Sequence, residues 1–362
     1  MKKRLPALLL AALLLTGCES VIKNDYLSVH PHVEPSAAPT AAPAEEAAPE
    51  ASNRNELRGT MLSFVRDWTE QATIQIRGYQ GDLNADLAET LQYITAEDPI
   101  GAYALDYADA ELSGNRIYGS VAVRLVFRRS AAEIDAIVTV SGLSGAQEKI
   151  KSALQNFDSA LTLRIRSYED ADFPAEIRAL CLDNSYPVLP EISANVYPQE
   201  GETRILELHF SYNATRDEMR SMQKSVNTLL SSASTYMRSG ADDTERLQNL
   251  LRYLFSRMDY TADGEQTDRP LYDLLHERRA TSLGFACVVS AECAQAQIPC
   301  VLIEGTRGGE YRAWNRLTVN DEECYIDLMR AFEHGNAELE LLSEQTLLAE
   351  GYAWEPKDAP QD

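Results

Sequence analysis

Hydrophobic residues first occur in this chain as one apolar run, Leu5 to Leu15, directly after the charged start Met1-Lys2-Lys3-Arg4. A membrane-spanning helix needs roughly 20 apolar residues, so this run is too short to cross a bilayer. Positive charge followed by a short apolar run is typical of a secretory signal. We therefore predict that residues 1–17 are a signal peptide that is removed.

Periodic hydrophobic positions begin only after a stretch rich in Pro, Ala and Glu, at about residues 31–52. Such a composition predicts a solvated spacer without a core. Helical and alternating spacing then predict a helix, a strand, a second helix and two strands joined by a polar turn. These elements cover Leu57–Trp68, Thr73–Tyr79, Leu83–Ile94, Ala102–Leu112 and Ile117–Arg128. We describe the unit as β-α-β-β.

A similar order recurs further along the chain. A strand, a helix and a hairpin are predicted at Leu161–Tyr168, Phe173–Leu182, Ile192–Tyr197 and Ile205–Tyr212. Each copy is followed by a helical pattern, after Arg128 in the first and after Thr215 in the second. We predict a duplicated α+β module over residues 55–238; the alternative is two unrelated stretches that look alike. Neither copy carries a catalytic constellation, which favours a spacer or a binding platform.

The last segment, residues 239–362, has a different pattern. A helix begins near Asp242, and a strongly apolar helix ends at Gln297. Three strands are predicted after it, at Ile298–Thr306, Tyr311–Val319 and Cys324–Leu328.

Composition narrows the class of protein. A hydrophobic content of 44% is enough to build real cores. The formal charge of -23 argues against nucleic acid and anionic lipid surfaces as partners, because both would be repelled.

The six cysteines show no CxxC spacing of the metal-binding kind. We expect no metal site and no cofactor. The six cysteines are Cys18, Cys181, Cys287, Cys293, Cys300 and Cys324. Apart from Cys18 they form an odd set, so at least one thiol should stay free, and disulfides among the others are left open.

Residues Leu15-Thr16-Gly17-Cys18 resemble the lipobox of bacterial lipoproteins. This resemblance implies that the mature chain starts at a lipidated Cys18 and that residues 18–54 are the lipid-bearing cysteine and a linker. Two or three acyl chains make a stable anchor. We therefore expect an exported protein on the outer face of the cytoplasmic membrane, or on an outer membrane if the host has one. The alternative is a plain secretory signal with a chance cysteine.

Several short motifs of the last segment resemble the transglutaminase-like superfamily, a group of papain-like cysteine enzymes. They are Gly284-Phe285-Ala286 at an apolar helix, Ile298-Pro299 before a strand, Ala313-Trp314-Asn315, and Tyr325-Ile326-Asp327. The resemblance covers roughly residues 241–356. It implies a papain-like fold with a Cys at a helix N-terminus, a His on one strand and an Asp on the next.

The positions that carry the catalytic triad in this superfamily hold Ser282, Arg312 and Asp327 here. A serine hydroxyl needs a base, and a guanidinium stays protonated and has no lone pair to offer. Cys287 is not a convincing substitute, because it lies inside the helix and not at its N-terminus. We therefore predict a degenerate triad.

Arg312 is expected to form an ion pair with Asp327, since a guanidinium fits a carboxylate well. The simpler interpretation is that this ion pair is structural and stabilises the fold. The alternative is that Arg312, beside the candidate groove residues Trp314 and Asn315, reads a carboxylate or a peptide terminus.

Three hypotheses for function follow. The first is a surface lipoprotein with an inactive transglutaminase-like domain that binds a peptide or envelope protein, or acts as a scaffold. The second is an acyl-transfer enzyme acting on peptide amides, transglutaminase-like or protease-like, through Ser282 or Cys287. The third is a solute-binding or assembly lipoprotein in which the duplicated module does the work.

Overall fold

The computed structural model describes residues 48–257, 267–335 and 337–355, and these residues belong to a compact unit that begins at Ala48. The predicted signal peptide and Cys18 lie outside the described residues. Among the residues described, no helix is both long and apolar enough to cross a membrane.

The first module runs from Glu50 to Phe127. Its elements are β1 (Glu50–Asn53), α1 (Arg54–Arg66), β2 (Gln71–Gln80), α2 (Leu83–Gln92), α3 (Pro99–Ala104), β3 (Leu105–Gly114) and β4 (Tyr118–Phe127), with a π-helical turn at Tyr93–Glu97. Strand β1 lies in the range that the sequence assigned to the linker, so the folded part starts about five residues earlier than predicted. The start of β3 is also later than predicted, because Ala102 belongs to α3.

The second module repeats this order. After the short helix α4 (Ala131–Asp135) come β5 (Val138–Val140), α5 (Leu143–Asn156), β6 (Ala160–Ile165), α6 (Phe173–Asp183), β7 (Glu191–Tyr197) and β8 (Arg204–Ser211). The helical segment after Arg128 therefore opens the second copy and does not close the first.

The two sheets have the same topology. Their strand orders are β1-β2-β4-β3 and β5-β6-β8-β7. In each sheet the first pair is parallel and the other two pairs are antiparallel. The predicted duplication is confirmed at the level of the fold, and each copy contains one strand and one helix more than the sequence pattern indicated.

Local chemistry explains why the elements start and turn where they do. Asn53 caps the start of helix α1 with a side chain that accepts a hydrogen bond from the Glu56 amide, and most of the apolar side chains of the helix are buried. The β3–β4 hairpin turns at Gly114, which has a φ of +89° and where a Cβ would lie 2.5 Å from the Tyr118 carbonyl oxygen. Only glycine fits this position.

The long helix α7 (Arg216–Met237) connects the second module to the last segment. That segment contains α8 (Asp243–Phe255), α9 (Pro270–Tyr272), a π-helical turn at Asp273–Glu277, α10 (Ser282–Ala296), β9 (Cys300–Arg307), β10 (Glu310–Val319), β11 (Glu322–Ile326), α11 (Leu328–Glu333), α12 (Glu344–Ala349) and β12 (Tyr352–Ala353). The sheet order is β11-β10-β9-β12, all antiparallel. An apolar helix followed by three antiparallel strands is the order that the transglutaminase-like resemblance implies, and the α+β class is confirmed.

The hydrophobic core does not divide where the sequence placed the domain boundary. The first module has a separate core around Leu57, Ile74 and Val121. A second, continuous core runs from the second module through α7 into the last segment, including Leu163, Val226 and Phe285. The second module and the C-terminal segment are therefore packed as one body.

Candidate functional site

The first position of the predicted triad lies at the start of α10. Thr281 caps this helix, with its hydroxyl accepting a hydrogen bond from the Gly284 amide at 3.0 Å. Ser282 is the first helical residue, and its Oγ accepts a hydrogen bond from the Ala313 amide on β10 at 3.2 Å. The fold therefore brings the Ser282 hydroxyl next to the strand that carries Arg312.

The second and third positions are joined directly. The Arg312 Nε donates to Asp327 Oδ2 at 2.7 Å, as the sequence led us to expect. Arg312 also contacts Glu333 with both of its terminal nitrogens, at 2.6 Å from Nη1 and 3.3 Å from Nη2. Glu333 follows Asp327 by six residues on α11, and the sequence analysis did not identify it.

Electrostatics keep this arginine charged. Burial on its own lowers the pKa of Arg312, but the charges and hydrogen bonds of Asp327 and Glu333 outweigh burial and leave that pKa above its ordinary value. Arg312 is only 8% exposed. It is therefore a permanent cation whose three nitrogens all bind acids of the same chain, which argues against a role as a reader of external carboxylates.

Both carboxylate oxygens of Asp327 accept hydrogen bonds within the protein. Its Oδ2 accepts a second hydrogen bond from the Tyr352 hydroxyl at 2.7 Å, and its Oδ1 accepts the Arg330 amide at 3.1 Å as the cap of α11. Burial, followed by the nearby Asp327 charge, raises the pKa of Tyr352, so this tyrosine stays a neutral donor. The carboxylate acts as a structural junction of β11, α11 and β12.

More charges surround this centre. Arg307 lies 3.4 Å from both Glu333 and Glu350, and Arg330 pairs with Glu350 at 2.9 Å and with Glu340. Together with Arg312 and Asp327, they form a connected set of three arginines and four acids. We call these seven residues the ion-pair network.

The two candidate groove residues lie inside the protein, with 1% exposure each, which corrects their predicted place in a groove. The Asn315 amide nitrogen donates to the Ala286 carbonyl and the Ser290 hydroxyl, both at 3.0 Å. The Trp314 ring packs edge-on against Tyr352. Strand alternation puts these neighbouring side chains on opposite faces of β10, where Asn315 contacts α10 and Trp314 packs in a cluster that includes Leu347 of α12.

The cysteines offer no exposed thiolate at this site. All five described cysteines are free. Cys287 is buried, and burial raises the pKa of its thiol well above the ordinary value. The Cys293 thiol donates a hydrogen bond to Cys300, which raises the pKa of Cys293 and lowers that of Cys300. In the described ranges, no group of three or more His, Cys, Asp or Glu residues is placed to hold a metal ion.

A cleft of about 690 Å³ lies beside the ion-pair network, and the sequence analysis missed it. Its walls combine aromatic and aliphatic side chains with several acids. Among the lining residues are Val301, Ile303, Glu304, Arg316, Glu323, Tyr325, Glu344, Leu348, Tyr352 and Trp354. Apart from Trp354, which follows β12, these residues come from four strands and α12, and they are brought together only by the fold.

Tyr352 connects the cleft to the predicted triad positions, because the residue lines the cleft and its hydroxyl donates to Asp327. Neither Ser282 nor Arg312 lines the cleft. This cleft therefore lies next to the triad positions and does not expose Ser282 or Arg312.

No known family profile matches the sequence, and no curated protein matches it either. Two solved structures show a weak likeness. One is a structure described as a TGase, with 10% identity and a TM-score of 0.26, covering 75% of this chain and 77% of that one. The other is a candidate cysteine protease from Cytophaga hutchinsonii, with 11% identity and a TM-score of 0.26, covering 42% of this chain and 66% of that one.

Proposed function

We propose that this chain is a membrane-anchored surface lipoprotein whose transglutaminase-like domain is catalytically inactive and serves in binding or scaffolding at the cell envelope. The proposal rests on the position and the contacts of Arg312. It occupies the position where the resemblance implies a catalytic histidine, and it is locked by Asp327 and Glu333.

Ser282 lacks a general base among the described residues. Its Oγ accepts from a backbone amide, and the adjacent cation cannot take its proton. The described histidines have contacts elsewhere or lie at a helix end: His276 bonds Glu277 and stacks on Tyr272, His209 faces Glu207, and His334 ends α11. Acyl transfer through Ser282 is therefore not supported.

Binding is supported by the cleft beside the network. Two of the exposed large hydrophobic side chains, Val301 at 46% and Leu348 at 57%, line it together with several acids. An exposed apolar surface with an acidic margin suits an extended peptide that carries apolar and basic side chains. A peptide or envelope-protein ligand would bind there.

The activity test uses the full chain, purified in a mild detergent, with amine donors and glutamine-containing or other peptide substrates. We expect no turnover above the uncatalysed rate from the parent, from Ser282→Ala or from Ser282→Cys, because a nucleophile without a base is not activated. An active transglutaminase assayed with the same substrates is the positive control. Turnover by the parent that disappears in Ser282→Ala would instead identify a serine-dependent acyl-transfer enzyme.

The anchor is tested separately. The parent is expected to partition into the detergent phase and to incorporate labelled fatty acid, because two or three acyl chains give stable membrane binding. Cys18→Ala should lose the label and the partitioning. Cys181→Ala, at a buried thiol, is the matched control and should keep both. Labelling that persists in Cys18→Ala would contradict the proposed anchor.

A further inference from the structure

Strand β9 is fully paired on one side and only partly paired on the other. Strand β10 pairs with β9 from Cys300 to Arg307. On the other side, β12 pairs with Arg307 and Thr306 alone. The first half of the strand, from Cys300 to Ile303, has no strand partner on that side within the described ranges. We call this half of the strand the open edge.

The backbone groups of Cys300 and Leu302 face the open edge. The Pro299 carbonyl accepts a hydrogen bond from an amide of β10 at 3.0 Å, and the Gly308 amide donates to the Gly351 carbonyl, just before β12, at 2.9 Å. Because the N–H and C=O groups of successive residues point to opposite edges of a strand, odd-numbered residues of β9 face β10 and even-numbered residues face away from it. A row of such outward groups is a template for a further strand.

The open edge lies within the cleft of about 690 Å³ described above, because residues from both faces of β9 line it. Ile303 packs on one face, in a cluster that includes Leu347 of α12. Glu304 points to the other face and binds Arg178 of α6 at 2.7 Å. Residues of α6 and of α12 both line the cleft. An extended segment laid along the open edge would therefore contact α12 with one set of alternate side chains and α6 with the other.

The charge of the cleft favours a basic partner. Five carboxyl groups and one guanidinium line it, from Asp183, Glu304, Glu323, Glu344, Glu355 and Arg316. Arg178 balances Glu304 at 2.7 Å, and Arg316 lies 3.9 Å from Glu323. The lining still carries net negative charge, so it attracts cations and repels a second copy of a chain whose formal charge is -23.

We propose that the open edge binds an extended peptide in which apolar residues alternate with Lys or Arg, and that this peptide joins the sheet as a further strand beside β9. The inference rests on the binding role proposed above and specifies how the ligand is held. Main-chain hydrogen bonds supply affinity in this mode, and pockets for alternate side chains supply specificity. The exposed side chains of Val301 and Leu348 offer apolar contacts, and the acids offer partners for the basic side chains.

The test is fluorescence anisotropy with the full chain in mild detergent. The probe is a labelled peptide of about seven residues in which Lys and Val alternate, which is long enough to span the open edge. We expect it to bind, and we expect a peptide with Glu in place of Lys to bind more weakly by at least a factor on the order of ten, because the cleft repels it.

Two backbone-methylated forms of the probe distinguish strand addition from side-chain binding alone. One is N-methylated at its Val residues and the other at its Lys residues. Alternate N–H groups point to opposite edges, so one form should bind more weakly by a factor on the order of ten and the other should bind like the unmethylated probe. Equal binding of both forms and the unmethylated probe would overturn strand addition and leave binding in the cleft intact. If no basic peptide binds, both proposals fail.

Variants assign the site. Val301→Glu and Glu344→Lys should each weaken binding of the Lys-Val probe by a factor on the order of ten, since one removes an apolar contact and the other reverses a charge of the lining. Ile117→Glu, at a side chain 60% exposed between β3 and β4, and Glu148→Lys, on α5, do not line the cleft and should leave binding unchanged.

Other occupants of the open edge would give different results. A parent dimer in sedimentation velocity that Val301→Glu dissociates would identify a second copy of the chain as the occupant. Probe binding that occurs only after removal of residues 356–362 would identify those residues as the occupant. Either result would overturn the proposal, and so would unchanged binding of the probe to both Val301→Glu and Glu344→Lys.

Discussion

Arg312→Ala is expected to lower the free energy of unfolding by about 3 kcal/mol. The reason is that Asp327, whose side chain is 1% exposed, would keep its charge and lose its cationic partner. Removing one member of a buried ion pair costs roughly 3–5 kcal/mol. We expect the lower end of this range, since Tyr352 and the Arg330 amide still donate to the carboxylate. Urea denaturation of the parent and the variant measures the change.

Arg220→Ala serves as the control for this substitution. Arg220 lies on α7 with a side chain 61% exposed, 3.6 Å from Asp217, so its loss should cost less than about 0.5 kcal/mol. The double variant Arg312→Ala/Asp327→Ala should lose less than the sum of the two single variants, because it leaves no unpaired buried charge. If Arg312→Ala were as stable as the parent, the ion pair would not hold the fold closed.

Glu292→Gln is expected to change how stability depends on pH. Burial raises the pKa of Glu292 to about 7 from an ordinary value of 4.5, although Ser234 and Arg238 oppose the rise. A carboxyl group with a raised pKa binds its proton more tightly in the folded protein than in the unfolded chain. Its contribution to stability is therefore fully present below about pH 4.5 and is lost as the pH rises through 7.

Since each unit of pKa shift corresponds to about 1.4 kcal/mol, the parent should lose about 3 kcal/mol of stability over this whole range because of Glu292. About 2 kcal/mol of this loss should fall between pH 5.5 and 8.5, a window that stays above the sequence pI of 4.6. The difference in unfolding free energy between Glu292→Gln and the parent should grow by that amount across the window.

Glu148→Gln is the matched control for the substitution, because this exposed carboxyl group lies on α5 and does not line the cavity beside Glu292. Its difference from the parent should stay flat with pH. A flat difference for Glu292→Gln as well would mean that Glu292 is ionised in the folded protein at pH 5.5.

The hydrophobic pattern predicted the longer elements well and the shortest ones not at all. Helix α1 and strand β2 follow directly from the spacing of Leu57, Met61, Ile74 and Ile76, since each periodicity extends over several residues. Strands β1 and β5 have only four and three residues. A pattern that short carries no recognisable alternation, and these strands exist because the parallel neighbours β2 and β6 offer them hydrogen bonds.

The three predicted triad positions also lie on the elements where the sequence placed them. Ser282 starts the apolar helix, Arg312 lies on the second strand after it, and Asp327 directly follows the third, because motif spacing fixes the position within each element. The partners that decide what these residues do were not predictable. Glu333 and Tyr352 contact Arg312 or Asp327 from elements that carry no motif.

The sequence by itself thus determined the α+β class and the repeat of one module, since these depend on local periodicity, and residue identity alone puts a guanidinium at position 312. The tertiary structure alone decided that Trp314 and Asn315 are buried, that the second module shares a core with the C-terminal segment, and that Glu292 lines a cavity with two arginines. These features depend on which side chains meet across distant parts of the chain, and hydrophobic periodicity specifies which face of an element is buried but not what packs against it.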